Sequence, residues 1–211
     1  MRKNRPLREA LAEYLPQSSV EPVLSWFGNN RILLMVTKSR RSKFGDFRSR
    51  GAQTTPIISV NHDLNPYSFL VTLLHEMAHA EVFFNYKKRL LPHGPEWKCA
   101  YRKLALPIIS NSGLDSQFTT IFAEHLQNPT ASSSASQPLT MVLRSFDKPR
   151  DVTLISDIEP NTHFSLPNGL IFRKGEQLRK RFRCECVNNK RIYLFSPLAE
   201  IKPISDIEFI S

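Results

Sequence analysis

The sequence predicts an α+β fold with a small all-β appendage, and three observations carry this prediction. Apolar residues recur at helical spacing over residues 6–28 and again from residue 66 onward. Two short apolar runs, "RILLMV" and "PIISVN", are typical of buried strands. After a Ser- and Pro-rich linker at residues 128–138, the chain continues in short β-type runs. We therefore expect helices packed on a small sheet in residues 1–127, and a basic, β-rich domain in residues 139–211.

The first elements carry their own start and stop signals. Pro6 suits the first turn of a helix, and the apolar pattern continues to Gly28 and Asn29, which end a second helix. The two predicted strands follow. The segment between them, residues 37–51, is strongly basic, and we expect it to form their connecting loop.

A long helix is predicted to begin at Asn65 and Pro66, which are typical of an N-cap and a first helical turn. Leu, Met and Phe residues at helical spacing extend this helix to about Lys88. Further helices are expected from near Pro95 and over "LDSQFTTIFAEHLQ". The first domain is therefore mainly helical, with one small sheet.

Four runs indicate the β-rich domain: "MVLRSF", "HFSLPNGLIFR", "KRFRCECVNNKRIYLF" and "AEIKPI". The pairs Asn168-Gly169 and Asn188-Asn189 predict hairpin turns between them. A small curled sheet is the expected result.

Composition and charge indicate the kind of core, the compartment and the partner that this chain is expected to have. The 211 residues are 41% hydrophobic, which is enough for a packed core. The three cysteines, Cys99, Cys184 and Cys186, are too few for a disulfide framework and suit a reducing compartment, so we expect a cytoplasmic location. No apolar run has the length of a membrane span. The net charge of +10 favours a polyanionic partner, nucleic acid ahead of a membrane surface.

The stretch "HEMAH" on the predicted long helix has the spacing of a metal site. His75 and His79 are four residues apart, so on a helix both imidazoles can reach one ion. Glu76 follows the first histidine and points beside the ion, where a general base for a metal-bound water must stand. We therefore predict a catalytic centre with two histidine ligands and a glutamate base.

A catalytic zinc needs a third protein ligand and keeps one open position. A histidine six residues after His79 is excluded, because Asn85 stands there. His93 lies in "PHGPEW", a break before the next helix, and Gly94 permits a close approach. Glu96 on the following helix is the alternative, and His93 is favoured over it.

These residues resemble the SprT-like zinc metalloprotease family, which includes the Spartan DNA–protein crosslink proteases. The resemblance rests on "HEMAHA" and "HGPEW" and extends upstream through "SKFGDFR" and "IISVNHDLNPYSFLVTLL", over roughly residues 5–125. It implies a minimal zincin fold with one Zn²⁺ held by His75, His79 and His93, and Glu76 as the catalytic base. For several members it also implies cleavage of DNA-attached proteins, switched on by single-stranded or structured DNA.

The resemblance does not extend into the C-terminal part of the chain. Many SprT-like proteins end in a zinc ribbon built from two cysteine pairs, whereas this chain has only "CEC", Cys184 and Cys186. These two side chains face the same side of a strand, as in an ordinary half-buried strand. We expect no second zinc ion.

The expected reaction is hydrolysis of a peptide bond. Glu76 takes a proton from the attacking water and passes it to the leaving amine. Tyr67, Tyr101 and Arg102 are the candidates for a further donor to the developing oxyanion. The alternative function is a non-catalytic DNA-binding module in which a structural zinc only holds the fold.

Two basic segments have the composition of a nucleic-acid surface. Cations that contact phosphates, interleaved with aromatic rings that stack on bases, are typical of single-strand binding. The candidates in the first segment are Lys38, Arg40, Arg41, Lys43, Phe44, Phe47, Arg48 and Arg50. The candidates in the second segment, on a predicted hairpin, are Arg179, Lys180, Arg181 and Arg183. We therefore expect DNA as a partner beside the protein substrate.

Overall fold

A computed structural model describes residues 6–40, 42–49, 54–86, 90–110, 113–131, 136–147 and 153–204. Contacts divide the chain into two compact units, Met1–Lys148 and Pro149–Ser211. The described residues form six α-helices and nine strands, which confirms the predicted mixed α+β class. None of these helices combines the length and the apolarity needed to cross a bilayer.

The first unit contains all six α-helices of the described residues and a three-stranded sheet. The helices are α1 (Leu7–Tyr14), α2 (Val20–Asn29), α3 (Pro66–Asn85), α4 (Pro95–Ile109), α5 (Ser116–Gln127) and α6 (Gln137–Arg144). The strands are β1 (Leu33–Thr37), β2 (Gly45–Arg48) and β3 (Ile57–Asn61). The two predicted strands correspond to β1 and β3, and α1 to α5 lie where helices were predicted.

Strand β3 occupies the middle of this sheet. It runs parallel to β1, with Leu33 opposite Ile57, and antiparallel to β2, with Gly45 opposite Val60. The prediction that residues 37–51 form only a loop is therefore wrong, because β2 lies within them. This strand has only four residues, two of them charged, so its sequence lacks the alternation that identifies longer strands.

Helix α3 is the central element of the first unit. Ten of its twenty residues are buried, and it packs against α4 and against strands β2 and β3. Only three residues separate the end of β3 at Asn61 from the cap of α3 at Asn65. The buried strand β3 therefore leads directly into the helix that carries "HEMAH", so the motif lies on a helix that is packed into the core.

Asn65 caps α3 as predicted, and its side chain also joins α3 to α6. Its Oδ1 accepts a hydrogen bond from the Ser68 N–H at 2.9 Å. Its Nδ2 donates to the carbonyl of Leu143 at 2.8 Å and to Oδ1 of Asp147 at 2.6 Å. One side chain therefore satisfies an N-terminal helix donor and fixes a second helix.

Helix α6 corrects the prediction for the run "MVLRSF", which forms a helical turn and not a strand. Leu139, Val142 and Leu143 follow helical spacing and are buried in the core of the first unit. The first unit consequently extends to Lys148, beyond the predicted linker at residues 128–138. Residues 132–135 of that linker lie outside the described residues.

The second unit is a six-stranded antiparallel sheet in the order β4-β9-β5-β6-β7-β8. The strands are β4 (Thr153–Leu154), β5 (His163–Ser165), β6 (Ile171–Gln177), β7 (Phe182–Cys186), β8 (Ile192–Phe195) and β9 (Glu200–Ile204). Hairpin turns join β5 to β6 and β7 to β8, as predicted. Gly169 has a φ of 81°, a left-handed conformation that glycine adopts without strain.

Aromatic rings and the two neighbouring cysteines form the core of the second unit. Phe172 stacks on Phe164 with ring centroids 5.5 Å apart, and it lies opposite Cys186 across β6 and β7. Cys184 and Cys186 are both fully buried, and burial raises the pKa of the Cys184 thiol. Both cysteines therefore serve as small apolar residues in this core.

We expect Asn65→Ala to lower the free energy of unfolding by about 2 kcal/mol, because it removes a helix cap, a hydrogen bond to Leu143 of α6 and another to Asp147 just after it. Urea unfolding followed by helical circular dichroism measures this change. Asp115→Ala is the matched control, because Asp115 caps α5 through the Phe118 N–H and that cap is its only side-chain bond in the described residues. It should cost only about 1 kcal/mol. Equal losses in both variants would contradict a joining role for Asn65.

Candidate metal centre

Three histidine side chains converge in the first unit. The Nε2 atom of His75 lies 3.2 Å from that of His79, and the Nε2 atom of His93 lies 3.1 Å from both. Within the described residues, this is the one group of three ligand-type side chains close enough to share an ion. The structure thus brings His93 to the two helical histidines, and Glu96 is not part of the group.

This triangle of nitrogens suits a cation better than a hydrogen-bonded cluster. Each neutral imidazole Nε2 is either a donor or an acceptor, so three of them in mutual contact cannot satisfy all three pairs. Tetrahedral Zn²⁺ with Zn–N distances of about 2.0–2.1 Å holds nitrogen ligands about 3.3 Å apart. The three imidazoles therefore fit a zinc ion, and a fourth position remains free of protein ligands in this group.

The ionisation of the histidines also favours metal binding. Burial, together with the neighbouring His79 and His93, lowers the pKa of His75 to about 3. Burial and the nearby His93 lower the pKa of His79 to about 4. Burial also lowers the pKa of His93. All three rings are therefore neutral near pH 7, which is the form that binds a metal ion.

The backbone brings the three ligands together in two different ways. His75 and His79 are one turn apart on α3, so the helix alone aligns them. His93 lies in the turn before α4, where it has a φ of 58°, in the left-handed region. The Gly94 N–H closes this turn by donating to the carbonyl of Leu91 at 3.1 Å. An unusual backbone conformation at His93 therefore directs the third ligand.

Trp97 on α4 packs against the rings of all three histidines. Its ring centroid lies 4.7 Å from those of His75 and His93 and 5.6 Å from that of His79. Its indole N–H donates to the carbonyl of His75 at 3.3 Å. Trp97 is 1% exposed, so it packs beneath the centre and holds all three imidazoles against one surface.

Glu76 lies beside the histidines, and its carboxylate contacts the edge strand β2. The carboxylate accepts a hydrogen bond from the Phe47 N–H. Burial raises the pKa of Glu76 to about 7, and the nearby Asp46 carboxylate contributes to this rise. A carboxyl group with a pKa near neutrality can both accept and return a proton at physiological pH.

Gly45 allows β2 to approach α3 closely. A Cβ atom at this position would lie 2.7 Å from Cγ2 of Thr72 and 2.8 Å from Oε1 of Glu76. Both distances are shorter than van der Waals contact, so any larger residue would displace the strand or the glutamate. Gly45 therefore lets β2 supply the backbone donor that orients Glu76.

A cleft with a volume of about 400 Å³ opens over the three histidines and Glu76. Strand β2 forms one wall through Gly45, Asp46 and Phe47. The end of α3 and the turn before α4 form the other, through Val82, Leu90, Leu91 and Pro92. The candidate ligands and base are therefore accessible to a molecule from outside.

The three predicted oxyanion donors do not line this cleft among the described residues. The hydroxyl of Tyr67 accepts a hydrogen bond from the Asp115 N–H, and its ring stacks on Phe146. The hydroxyl of Tyr101 is buried and donates to the carbonyl of Val71, although its ring contacts that of His75. Burial raises the pKa of Tyr101. Arg102 is half-buried on α4 and does not reach the histidines.

Several cations of the first basic segment bind other groups of the protein. Arg40 donates from Nε to Oδ1 of the buried Asn61 at 2.8 Å. Lys43 and Arg48 form ion pairs with Asp46, at 2.8 Å and 2.5 Å. These contacts fix β2 and its loop, so the three cations have structural partners.

The other candidates of this segment divide into three groups. Phe47 packs against the core and contacts Phe83, with ring centroids 5.6 Å apart. Lys38 and Phe44 are exposed to solvent. Arg41 and Arg50 lie outside the described residues.

The second basic segment is exposed. The β6–β7 turn and the adjoining strand β7 carry its four candidate cations, and all of them are solvent-accessible: Arg179, Lys180, Arg181 and Arg183. A dense positive charge on a short turn is compatible with binding to phosphates.

Sequence reasoning missed Gly45, Asp46 and Trp97. A lone glycine within "FGDFR" signals a strand that comes close to another backbone, and this signal could have identified Gly45. Trp97 and Tyr101 are four residues apart on the helix after His93, and this spacing places both rings on one face. No comparable pattern identifies Asp46.

The candidate metal centre lies in the part of the chain that matches a known family. A family model described as the SprT-like family matches residues 33–112, which extend from β1 to the end of α4 and include the three histidines and Glu76. No curated protein and no solved structure matches the chain.

We expect His93→Ala to bind less than one tenth of the zinc that the wild-type chain retains after dialysis against a weak chelator, because it leaves only two ligands. Inductively coupled plasma mass spectrometry measures the zinc content per chain. Glu96→Ala is the control and should keep one ion per chain. Full zinc content in His93→Ala with loss in Glu96→Ala would identify Glu96 as the third ligand.

Proposed function

We propose that this chain, which belongs to the SprT-like family over residues 33–112, is a zinc-dependent endopeptidase that cleaves proteins bound to DNA. Family membership supports a metalloprotease-type domain. The single observation that carries the proposal is the convergence of three histidine nitrogens beside a glutamate in an open cleft. A purely structural zinc site has no use for a carboxylate base or for an open cleft.

His75, His79 and His93 would hold the metal ion. A bound Zn²⁺ would act as a Lewis acid, polarising a peptide carbonyl and lowering the pKa of a coordinated water. All three ligands would be neutral imidazoles, so the chain would add no negative charge at the ion. Trp97 fixes the rings and limits their movement during the reaction.

Glu76 is the proton carrier in this proposal. Its carboxylate accepts a hydrogen bond from the Phe47 N–H, and the side chain lines the cleft in which the attacking water would lie. It takes the proton of the attacking water and returns it to the leaving amine. The Asp46 carboxylate helps to raise the pKa of Glu76, and Gly45 leaves room for the Glu76 side chain beside β2.

The DNA part of the proposal rests on the charge of the chain and on its second unit. The net charge is +10, and Arg179, Lys180, Arg181 and Arg183 are exposed together on one turn and strand. The cations of residues 37–51 are weaker candidates, because Arg40, Lys43 and Arg48 have partners within the protein. The β6–β7 turn is therefore the proposed main contact.

We expect Glu76→Gln to lower the rate of protein cleavage about a thousandfold, because glutamine keeps the shape of the side chain but cannot accept a proton. The measurement is cleavage of an unfolded protein by the zinc-loaded full chain, with single-stranded DNA present. Zinc content and urea unfolding should be unchanged, because Glu76 is not among the ligands.

Glu81→Gln is the matched control for this experiment. Glu81 lies on the same helix, and its carboxylate accepts hydrogen bonds from Trp26 and Asn85 outside the cleft. It should cleave at the wild-type rate. Unchanged cleavage in Glu76→Gln would refute the enzymatic proposal and favour a zinc-stabilised DNA-binding module.

We expect simultaneous substitution of Arg179, Lys180 and Arg181 by glutamine to weaken binding to single-stranded DNA. Each lost phosphate contact lowers the slope of log affinity against log salt by about 0.7, so three contacts lower it by about 2. Fluorescence anisotropy across a salt series measures both quantities.

A variant with the same charge change elsewhere provides the control. Arg31, Lys98 and Lys103 lie outside both basic segments, and their replacement by glutamine removes three positive charges as well. This variant should keep the wild-type slope. An equal loss of slope in both variants would mean that net charge alone, and not the β6–β7 turn, determines DNA binding.

A further inference from the structure

The cleft over the metal centre has an apolar wall that the reaction itself does not use. Val82 follows His79 by three residues on α3 and therefore lies next to it on the helix surface. Leu91 and Pro92 immediately precede His93 and line the same cleft. Apolar side chains thus stand directly beside two of the three candidate ligands.

The opposite wall adds a further apolar group beside the base. Phe47 lines the cleft, and its own N–H is bonded to the carboxylate of Glu76. Phe83 packs on the Phe47 ring, with centroids 5.6 Å apart, and limits its movement. A molecule that reaches Glu76 therefore also meets a ring fixed in place.

Part of this apolar surface is open to solvent. Leu91 is 80% exposed and Phe83 is 43% exposed. Exposed apolar side chains clustered beside a cleft are typical of a binding surface, because burying them against a ligand removes apolar area from water. The described charged groups of the cleft apart from the base are limited to Asp46, which Lys43 and Arg48 neutralise.

We infer that this wall is a specificity site, which binds an apolar side chain of the substrate next to the scissile peptide bond. The inference rests on the proposed function and adds to it the class of residue at the cleavage point. The bound side chain contacts Val82, Leu91 and Pro92 while its backbone carbonyl lies over the histidines. A charged side chain at this position would lose its hydration without gaining a partner among the described residues that line the cleft, so it is rejected.

The first test maps the cleavage sites in an unfolded protein by mass spectrometry. The zinc-loaded full chain is used with single-stranded DNA present, and Glu76→Gln defines the background. Leu, Ile, Met and Phe should occur beside the cleaved bond about ten times more often than Asp and Glu, after correction for their abundance.

The second test assigns this preference to the wall. Two peptides are compared that differ only in Leu or Ser at the preferred position. In Leu91→Ser and in Val82→Ser the ratio of their kcat/KM values should fall about fivefold relative to the wild type. Leu106→Ser is the control, because Leu106 is 44% exposed on α4 and does not line the cleft, so the ratio should not change.

The outcomes separate this inference from the proposed function. Cleavage that depends on Glu76 but shows no enrichment of apolar residues overturns the specificity site and leaves the peptidase intact. An enrichment that persists in both Leu91→Ser and Val82→Ser overturns its assignment to this wall. Absence of any Glu76-dependent cleavage overturns the proposed function and the inference with it.

Discussion

The arrangement of the candidate metal centre depends on the position of one residue, His93. Two ligands on α3 are aligned by the helix itself, but two imidazoles do not make a catalytic site. The third comes from a turn with a left-handed backbone conformation, closed by a hydrogen bond from Gly94 and followed at once by α4. A non-glycine residue in this conformation costs about 1–2 kcal/mol. The contacts of Trp97 with all three rings help to offset this cost.

The same turn determines the shape of the cleft. Leu91 and Pro92 immediately precede His93 in this turn, and both line the cleft together with residues of β2. Strand β2 can lie this close to α3 because Gly45 has no side chain. The candidate ligands, the candidate base and the apolar residues Leu91 and Pro92 thus line one cleft between β2 and the turn before α4.

The two units carry different parts of the proposed function. The first unit holds the candidate metal ligands and the candidate base, whereas the second unit contributes four exposed cations on a sheet with its own aromatic core. The cations of the two units differ in their surroundings. In the first unit several cations serve to hold β2, but on the β6–β7 turn the described cations face solvent.

The sequence by itself determined the α+β class, the capped helix that begins at Asn65, and the presence of "HEMAH" on it, because helical spacing and capping are local properties. It also identified His93 as the favoured third ligand, although its convergence with α3 appears only in the fold. Strand β2 and helix α6 escaped sequence analysis. A four-residue edge strand has too little pattern, and the eight-residue helix α6 buries Leu139, Val142 and Leu143 in the core of the first unit, a contact that local sequence does not reveal. Only the tertiary structure decided that the hydroxyls of Tyr67 and Tyr101 bond to backbone groups, and that Gly45, Phe47 and Trp97 line the cleft at the centre. Those contacts join residues far apart in the chain, and packing in three dimensions alone brings them together.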